Sequence, residues 1–226
     1  MIIKIDTSLV KGNNYKNKLN TKDNKFAQLM HLYSLAMRNV EEKVDSINRD
    51  YREIYGQDLI NHVMCRIKSP EGIIKKMKRK NYELTYQNLI ENINDIAGVR
   101  IICRFKANVF EVIDLIREFE DCRIIKEKDY ITNPKKTGYS SYHMIVEVPV
   151  QLDETKLYAK VEIQIRTMAM DFWATLEHEI KYKSNGQISN KVSRDLVIYA
   201  KIINKIDNKL MKMHHKKYKR KIELSE

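Results

Sequence analysis

The first long pattern of apolar positions along the chain has a helical period. Apolar or aromatic residues recur at steps of three and four between positions 26 and 54. They are Phe26, Met30, Tyr33, Met37, Val40, Val44, Ile47, Tyr51 and Ile54. This spacing predicts a long amphipathic helix whose Met and Tyr stripe belongs to the core. Residues 1–20 are polar and show no clear period.

A short, very basic helix is predicted next, within RIKSPEGIIKKMKRK at residues 66–80. Ser69 suits the N-cap position, because its hydroxyl can accept a hydrogen bond from a free backbone N–H of the first turn. Pro70 suits the first helical turn, and Glu71 suits the positive end of the helix dipole.

The middle of the chain changes to β-branched and apolar runs, which predict strands. These runs are residues 98–105, 123–131, 139–150 and 157–167. Helical spacing follows at Val109, Val112, Ile113 and Ile116, and returns over residues 168–183 and 189–215. Helices around a small sheet, with a hairpin-like pair across residues 150–157, predict an α+β fold.

The composition of the chain indicates a cellular compartment and a class of binding partner. A chain of 226 residues suits one compact domain, and 43% apolar with 32% charged residues suits a soluble protein. Lys and Arg exceed Asp and Glu by 42 − 30 = 12, which suggests a polyanionic partner. Three Cys without metal-ligand spacing, no signal-peptide pattern and no apolar run of ~20 residues predict a cytoplasmic protein without membrane contact.

The strand at residues 161–167 has an informative alternation of side chains. Val161, Ile163 and Ile165 share one face, whereas Glu162, Gln164 and Arg166 share the other. A half-exposed strand with a solvated polar face would give the same pattern.

Neighbouring strands repeat this choice of polar residues. Arg100 and Arg104 share a face of the first strand, and Tyr139, Ser141 and His143 share a face of another. Together these faces suggest the floor of a polar cleft for phosphate chemistry, since Arg grips phosphate oxygens in a bidentate manner.

A pair of carboxylates, Asp95 and Glu162, could hold Mg²⁺ in such a cleft. Asp95 could equally cap a turn before its strand. The sequence has neither G-x-x-x-x-G-K-[ST] nor G-x-G-x-x-G, so triphosphate binding would depend on side chains. The candidates on and before the basic helix are Arg66, Lys68, Lys75, Lys76 and Arg79, for which a solvated helix face is the alternative.

Four ordered segments together resemble the synthetase domain of RelA/SpoT enzymes, and the chain length resembles the small, RelQ-like members. The segments are RIKSPEGIIKKMKRK (66–80), DIAGVRIICRF (95–105), KDYITNPKKTGYSSYHMIV (128–146) and VEIQIRTMAMDFWATLEHEIKYK (161–183). The resemblance covers roughly residues 24–210. It divides the chain into a polar segment at 1–23, a synthetase domain at 24–183, and a helix with a basic tail at 184–226.

The resemblance implies a nucleotidyltransferase-like mixed sheet flanked by helices. It also implies transfer of the β,γ-pyrophosphate of ATP to the 3′-hydroxyl of GDP or GTP, giving AMP and a guanosine alarmone. Asp95 and Glu162 match the Mg²⁺ carboxylates of the family, and Glu162 matches its candidate general base.

The same resemblance assigns candidate residues to two nucleotide pockets. On the ATP side, Arg66 and Arg100 match a pair that sandwiches adenine, and the remaining matches are Lys68, Ser69, Lys76 and Arg79. On the acceptor side, Tyr139 matches the tyrosine that stacks on guanine. The other acceptor matches are Lys128, Lys135, His143 and Gln164.

Two rival functions and two partners stay open from the sequence. A nucleotidyltransferase that attaches AMP and releases pyrophosphate would suit the same fold, and a non-catalytic RNA-binding module would suit the net charge. An apolar stripe at Val192, Leu196, Ile203, Ile206 and Leu210 suggests core packing or, by the resemblance, a homotetramer. Seven Lys or Arg and two His between Lys209 and Lys221 suggest a solvated tail or a contact to single-stranded RNA.

Overall fold

The computed structural model describes residues 18–152, 155–183 and 188–223, which form a five-stranded mixed sheet flanked by helices. The helices are α1 (Asn24–Tyr55), α2 (Pro70–Arg79), α3 (Tyr86–Asn92), α4 (Lys106–Arg117), α5 (Met168–Lys183) and α6 (Asn190–Glu223). The strands are β1 (Ile60–Ile67), β2 (Ala97–Cys103), β3 (Arg123–Asp129), β4 (Tyr142–Leu152) and β5 (Thr155–Thr167). The predicted α+β class is confirmed.

The strands lie in the order β1-β2-β5-β4-β3. β2 and β5 run parallel, whereas the other neighbouring pairs are antiparallel. The parallel pair lies at the centre of the sheet, and its register sets Gly98 opposite Glu162 and Arg100 opposite Gln164.

The long helix α1 is defined at both ends by local interactions. Asp23 accepts a hydrogen bond from the backbone N–H of Phe26 at 2.8 Å, and Gly56 ends the helix at φ +66 while its N–H donates to Arg52 O. Of the predicted stripe, Phe26, Tyr33, Val40 and Val44 are buried in the core as the helical period predicts. The prediction is wrong for Ile54, which lies at the end of the helix and is 71% exposed.

The alternation predicted for β5 is confirmed. Val161, Ile163 and Ile165 are completely buried in one core with residues of α1 and α4. Glu162 and Gln164 lie on the opposite face of the sheet and are half-buried. The apolar face therefore holds the sheet on its helices and leaves the polar face for a site.

Helices α5 and α6 form a second, small apolar cluster made of Trp173, Ala174, Leu196 and Ala200. The Trp173 indole N–H donates to Leu196 O at 3.1 Å, which fixes one helix against the other. The apolar stripe predicted for α6 is divided, because Leu196 is buried whereas Ile206 and Leu210 are about half exposed.

The structure corrects several predicted boundaries. Strand β1 was missed, since its exposed Asn61, His62 and Met64 hide the alternation of an edge strand. Strand β4 begins at Tyr142 rather than at residue 139, because the three preceding residues belong to the loop after β3. Helix α5 occupies the predicted residues, whereas α6 extends beyond residue 215.

The structure bears only in part on the predicted absence of membrane contact and on the predicted division of the chain into segments. Among the described helices, none has both the length and the apolar character needed to cross a membrane. Cys65, Cys103 and Cys122 are all free thiols. The predicted division at residue 184, and most of the N-terminal segment, lie outside the described residues.

Candidate active site

A cavity of about 350 Å³ opens on the polar face of the sheet. Its lining comes from β1, β2 and β5, together with the turn before β2. The lining residues are Met64, Cys65, Arg66, Asp95, Gly98, Val99, Arg100, Glu162 and Gln164. The cavity therefore brings together both predicted carboxylates and both predicted adenine arginines.

Sheet register explains why a cavity exists at this point. Gly98 lies between Arg66 on β1 and Glu162 on β5 in the same row of residues. A Cβ atom at Gly98 would find only the backbone oxygens of its two neighbours, each at 3.8 Å. A longer side chain would extend into the space between the arginine and the carboxylate, so glycine keeps this space open.

Asp95 is held by two lysines, Lys68 just before α2 and Lys76 in the last turn of α2. Lys68 Nζ lies 3.2 Å from Asp95 Oδ2, and Lys76 Nζ lies 2.7 Å from Asp95 Oδ1. Ser69 fixes the start of this helix as predicted, since its hydroxyl accepts from Gly72 N–H. Arg79 lies on the same helix face as Lys76, one turn further on, and is exposed.

The charge state of Asp95 follows from these contacts. Burial alone would raise the pKa of Asp95, but the ammonium groups of Lys76 and Lys68 outweigh burial and hold the pKa below its ordinary value. The Lys76 contact is close but misaligned, so the buried Oδ1 atom has no hydrogen-bond partner among the described residues. Asp95 is therefore an ionised carboxylate whose two oxygens each lie next to an ammonium group.

Glu162 is the second carboxylate and is oriented from two sides. Gln164 donates to its Oε2 at 2.8 Å, and His143 Nδ1 lies 3.3 Å from its Oε1. Burial would raise the pKa of Glu162, but the interactions with His143 and Gln164 lower it overall. Glu162 is therefore ionised and fixed in direction.

The residues predicted for the acceptor side lie beside Glu162. The Tyr139 hydroxyl lies 2.7 Å from His143 Nε2, so a chain of contacts runs from Tyr139 through His143 to Glu162. Lys135 Nζ lies 4.6 Å from the centre of the Tyr139 ring and 4.7 Å from that of Tyr130. Lys128 pairs with His143 across β3 and β4, which brings its side chain to the same edge of the site.

Arg166 contacts several residues of the acceptor side; the sequence predicted it on the polar face of β5 but assigned it to neither nucleotide. Its guanidinium donates to the Tyr139 hydroxyl at 2.6 Å and to Gln164 Oε1 at 2.7 Å. It also donates to Ser141 Oγ at 3.2 Å and to Asp171 Oδ1 at 3.0 Å. The alternation of β5 placed Arg166 on the correct face, but its partners come from other elements and could not be found from spacing.

Asp171 connects the two sides of the site and was also missed. Its Oδ1 accepts from Arg166 and, at 3.3 Å, from Arg100. Burial and the nearby Arg166 charge lower the pKa of Arg100, whereas the charge of Asp171 acts in the opposite direction.

Three residues do not have the positions that the sequence predicted, two of them from strand alternation and one from the basic helix. Ser141 is completely buried, because it precedes β4 and bonds to Ile165 O instead of facing the cleft. Arg104 follows the end of β2 and lies 3.8 Å from Asp58. Lys75 lies on the other side of α2, next to Thr21.

The two carboxylates fit an Mg²⁺ ion of the kind that the resemblance implies. Both line the same cavity, and the interactions that lower their pKa values keep both ionised, as metal ligands must be. No group of three or more His, Cys, Asp or Glu side chains in the described part of the chain could hold a metal by itself. Mg²⁺ is commonly bound by one or two carboxylates together with substrate phosphates.

A larger cavity of about 420 Å³ lies behind the loop that carries Tyr139, between this loop and α6. It contains neither Asp95 nor Glu162 and has a mostly apolar wall that includes Met170 and Trp173. The smaller cavity is therefore the candidate active site, because it holds the paired carboxylates and arginines that phosphate chemistry requires.

Comparison with known proteins agrees with this location. The sequence profile of a region found in RelA and SpoT proteins matches residues 65–187, which include both carboxylates. The GTP pyrophosphokinase YwaC of Bacillus subtilis (strain 168) is 43% identical over 180 residues, which are 80% of this chain and 86% of that protein.

Two solved structures of small alarmone synthetase 1 from Bacillus subtilis share the fold. The one bound to its product pppGpp has a TM-score of 0.79 and 32% identity, and the match covers 86% of this chain and 98% of that chain. The one bound to AMPCPP has a TM-score of 0.73 and 29% identity, with 87% and 100% covered.

Proposed function

The chain belongs to the RelA/SpoT family, and from this premise we propose how its polar cleft makes a guanosine alarmone. The protein is a GTP pyrophosphokinase that transfers the β,γ-pyrophosphate of ATP to the 3′-hydroxyl of GDP or GTP. The observation that supports the residue roles most directly is the shared cavity of Asp95 and Glu162, with arginines on one side and a tyrosine on the other.

On the donor side, we assign ATP to the arginines of β1 and β2 and the cations of α2. Arg66 and Arg100 line the cavity and offer planar guanidinium groups that can stack on adenine. Lys68, Lys76 and Arg79 supply positive charge for the triphosphate. Asp95 pairs with Lys68 and Lys76 and holds both ammonium groups beside the cavity, and Ser69 caps the helix that carries Lys76.

On the acceptor side, we assign the guanine base to the Tyr139 ring and the acceptor phosphates to Lys128 and Lys135. Base stacking on an aromatic ring contributes about 1–3 kcal/mol. Lys135 already lies over the Tyr139 ring, so its ammonium is close to a nucleotide that stacks there. His143 and Gln164 then orient Glu162 toward the ribose.

In the reaction, the 3′-oxygen attacks the β-phosphorus while the bond from that phosphorus to the α-phosphate oxygen breaks. AMP leaves, and the proton of the hydroxyl passes to Glu162. His143 lies beside this carboxyl group and can hydrogen-bond to it after the proton transfer. Because its lowered pKa makes Glu162 a weak base, its orientation of the hydroxyl matters more than its basicity. Mg²⁺ held by Asp95 and Glu162 would supply charge stabilisation at the phosphates.

The test follows two labels from ATP into the products. With GDP or GTP present, we expect label from the γ-phosphate in the guanine product and label from the α-phosphate in free AMP. A nucleotidyltransferase would give the reverse, with α-label on the acceptor and γ-label in free pyrophosphate. A non-catalytic RNA-binding module would consume no ATP when RNA is absent.

We also propose a homotetramer in the cytoplasm. The exposed side of α6 supports assembly, since Ile198, Tyr199, Ile202 and Ile206 are each about half exposed on one long helix. The nucleotide substrates support the compartment, because ATP and GTP are cytoplasmic metabolites. Light scattering coupled to size exclusion should give four times the chain mass of 26.9 kDa, and a monomer would exclude the assembly.

Contact with single-stranded RNA is a further proposal for the basic run that starts at Lys209. The side chains from residue 214 onward lie outside the described residues, so the sequence alone supports this contact. Its seven Lys or Arg set a ceiling near −5 for the log–log salt slope of RNA binding, and partial engagement should give roughly −2 to −4. Truncation after Met211 should flatten that slope and leave synthesis largely intact, whereas unchanged RNA binding would refute the role of the run.

A further inference from the structure

The loop between β3 and β4 faces the acceptor pocket on one side and the C-terminal helix on the other. Tyr139 points to the pocket, where its hydroxyl contacts His143 and Arg166. The adjacent Gly138 faces α6 and has φ +91, a conformation that residues with a side chain rarely adopt.

Gly138 leaves no room for a side chain between the loop and α6. A Cβ atom added at Gly138 would lie 2.5 Å from Ala200 Cβ, a distance that real Cβ atoms essentially never show. It would also lie 3.4 Å from Trp173 Cζ2 and 3.7 Å from Val197 Cα, which are ordinary contacts. The Ala200 side chain is therefore the part of α6 that limits how closely the loop between β3 and β4 can approach this helix.

The loop transmits this contact to the pocket because it is internally hydrogen-bonded. Gly138 N–H donates to Lys135 O at 2.8 Å, and Lys135 N–H donates to Tyr139 O at 3.0 Å. A displacement at Gly138 must therefore move Lys135 and Tyr139, the two residues that we assign to the acceptor nucleotide. The helix itself is fixed through the Trp173–Leu196 hydrogen bond, so it offers a rigid support.

We propose that α6 is a positioning element of the acceptor pocket, and that Ala200 is the residue through which it acts. Ala200 sets the distance of the loop from the helix and thereby the position of the Tyr139 ring. This role rests on the proposed function, since it concerns affinity for the guanine nucleotide. Ala200 touches no substrate and acts only through Gly138.

The experiment is a double-mutant cycle with Gly138→Ala, Ala200→Gly and the double variant. Gly138→Ala should raise the KM for GDP by roughly ten- to a hundred-fold, because small misplacements of a positioning group have effects of this size. The KM for ATP should stay near its wild-type value. Ala200→Gly alone should raise the KM for GDP by a smaller factor, because the loop then loses the contact that sets its distance from the helix; an unchanged KM for GDP in this variant would refute the role of Ala200. The double variant should regain most of the loss, because it removes the 2.5 Å contact and leaves only the backbone strain at φ +91.

Trp173 gives a second measurement that does not depend on turnover. It is the single Trp of the chain, it is 4% exposed, and it lies next to the position of the added Cβ. Its emission should shift in Gly138→Ala and return toward wild type in the double variant. Ala36→Val is a matched control, since it overpacks the core under α1 and should lower thermal stability without shifting the KM for GDP or the Trp173 emission.

The outcomes separate this inference from the proposed function. If the double variant is as impaired as Gly138→Ala in both KM and emission, the backbone conformation alone sets the loop and the role of Ala200 is refuted. An equal rise in the KM for ATP would also refute it. If wild-type protein makes no alarmone, the proposed function fails, but the emission cycle still decides whether Ala200 positions the loop.

Discussion

Replacement of Arg166 by Lys tests how strongly the acceptor side depends on one buried guanidinium. Arg166 is 4% exposed and donates four hydrogen bonds, to Ser141, Tyr139, Gln164 and Asp171. Lysine keeps the charge but has a single ammonium, which cannot reproduce the planar fork that reaches acceptors in several directions.

The expected effect can be worked from these bonds. We expect Arg166→Lys to lose at least two of the four, and a lost bond that leaves a buried acceptor unpaired costs about 1–2 kcal/mol. The free energy of unfolding should fall by about 2–4 kcal/mol, or roughly 4–16 °C in Tm for a chain of this size. Because Tyr139 and Gln164 lose their donor, the KM for GDP should also rise.

Thermal unfolding by circular dichroism and initial rates with GDP varied at saturating ATP measure both effects. Arg123→Lys is the control, since the side chain of Arg123 is 73% exposed and pairs with Glu147 at the edge of the sheet. A surface pair of this kind contributes about 1 kcal/mol or less. If Arg166→Lys behaves like Arg123→Lys in both Tm and KM, Arg166 does not organise the acceptor side.

The remaining predictions concern the metal carboxylates, the guanine-binding residue Tyr139 and the buried Asp207. Asp95→Asn and Glu162→Gln should each lower kcat by more than ~100-fold with an unchanged dichroism spectrum, and near-normal kcat in either would reject the metal assignment. Tyr139→Ala should weaken GDP binding by about 1–3 kcal/mol while Tyr139→Phe keeps most of it; a loss on the ATP side instead would mean that the pockets are reversed. Asp207 accepts a hydrogen bond from Thr167, and burial raises its pKa. A raised pKa means that neutral Asp207 stabilises the folded protein at acid pH. This contribution to the free energy of unfolding is lost as pH rises through the pKa of the folded state. Asp207→Asn should therefore be more stable than wild type at neutral pH, and urea midpoints whose difference does not change with pH would contradict this.

Sequence patterns could predict the parts of the fold that depend on local spacing. The period of three and four residues in α1 and the strict alternation of β5 each reflect one buried face, and this preference is visible in any window of the chain. Ser69 was found for the same reason, because an N-cap needs only its own helix.

What the patterns missed depends on partners far away in the chain. Arg166 and Asp171 became site residues only when β5 and α5 came next to the loop after β3. Strand β1 has a weak pattern because one side of an edge strand meets solvent. Ser141 was placed on the wrong side, since the exact start of β4 decides which way each residue faces.

The parallel pairing of β2 with β5 also makes the candidate site depend on parts of the chain that are far apart in sequence. Asp95 precedes β2 and Glu162 lies within β5, and α4, β3 and β4 all lie between them in the chain. Closing so large a loop costs chain entropy before native contacts compensate for it, so such pairings form slowly. A chain that ends before β5 lacks Glu162, and with it one of the two carboxylates that line the candidate site.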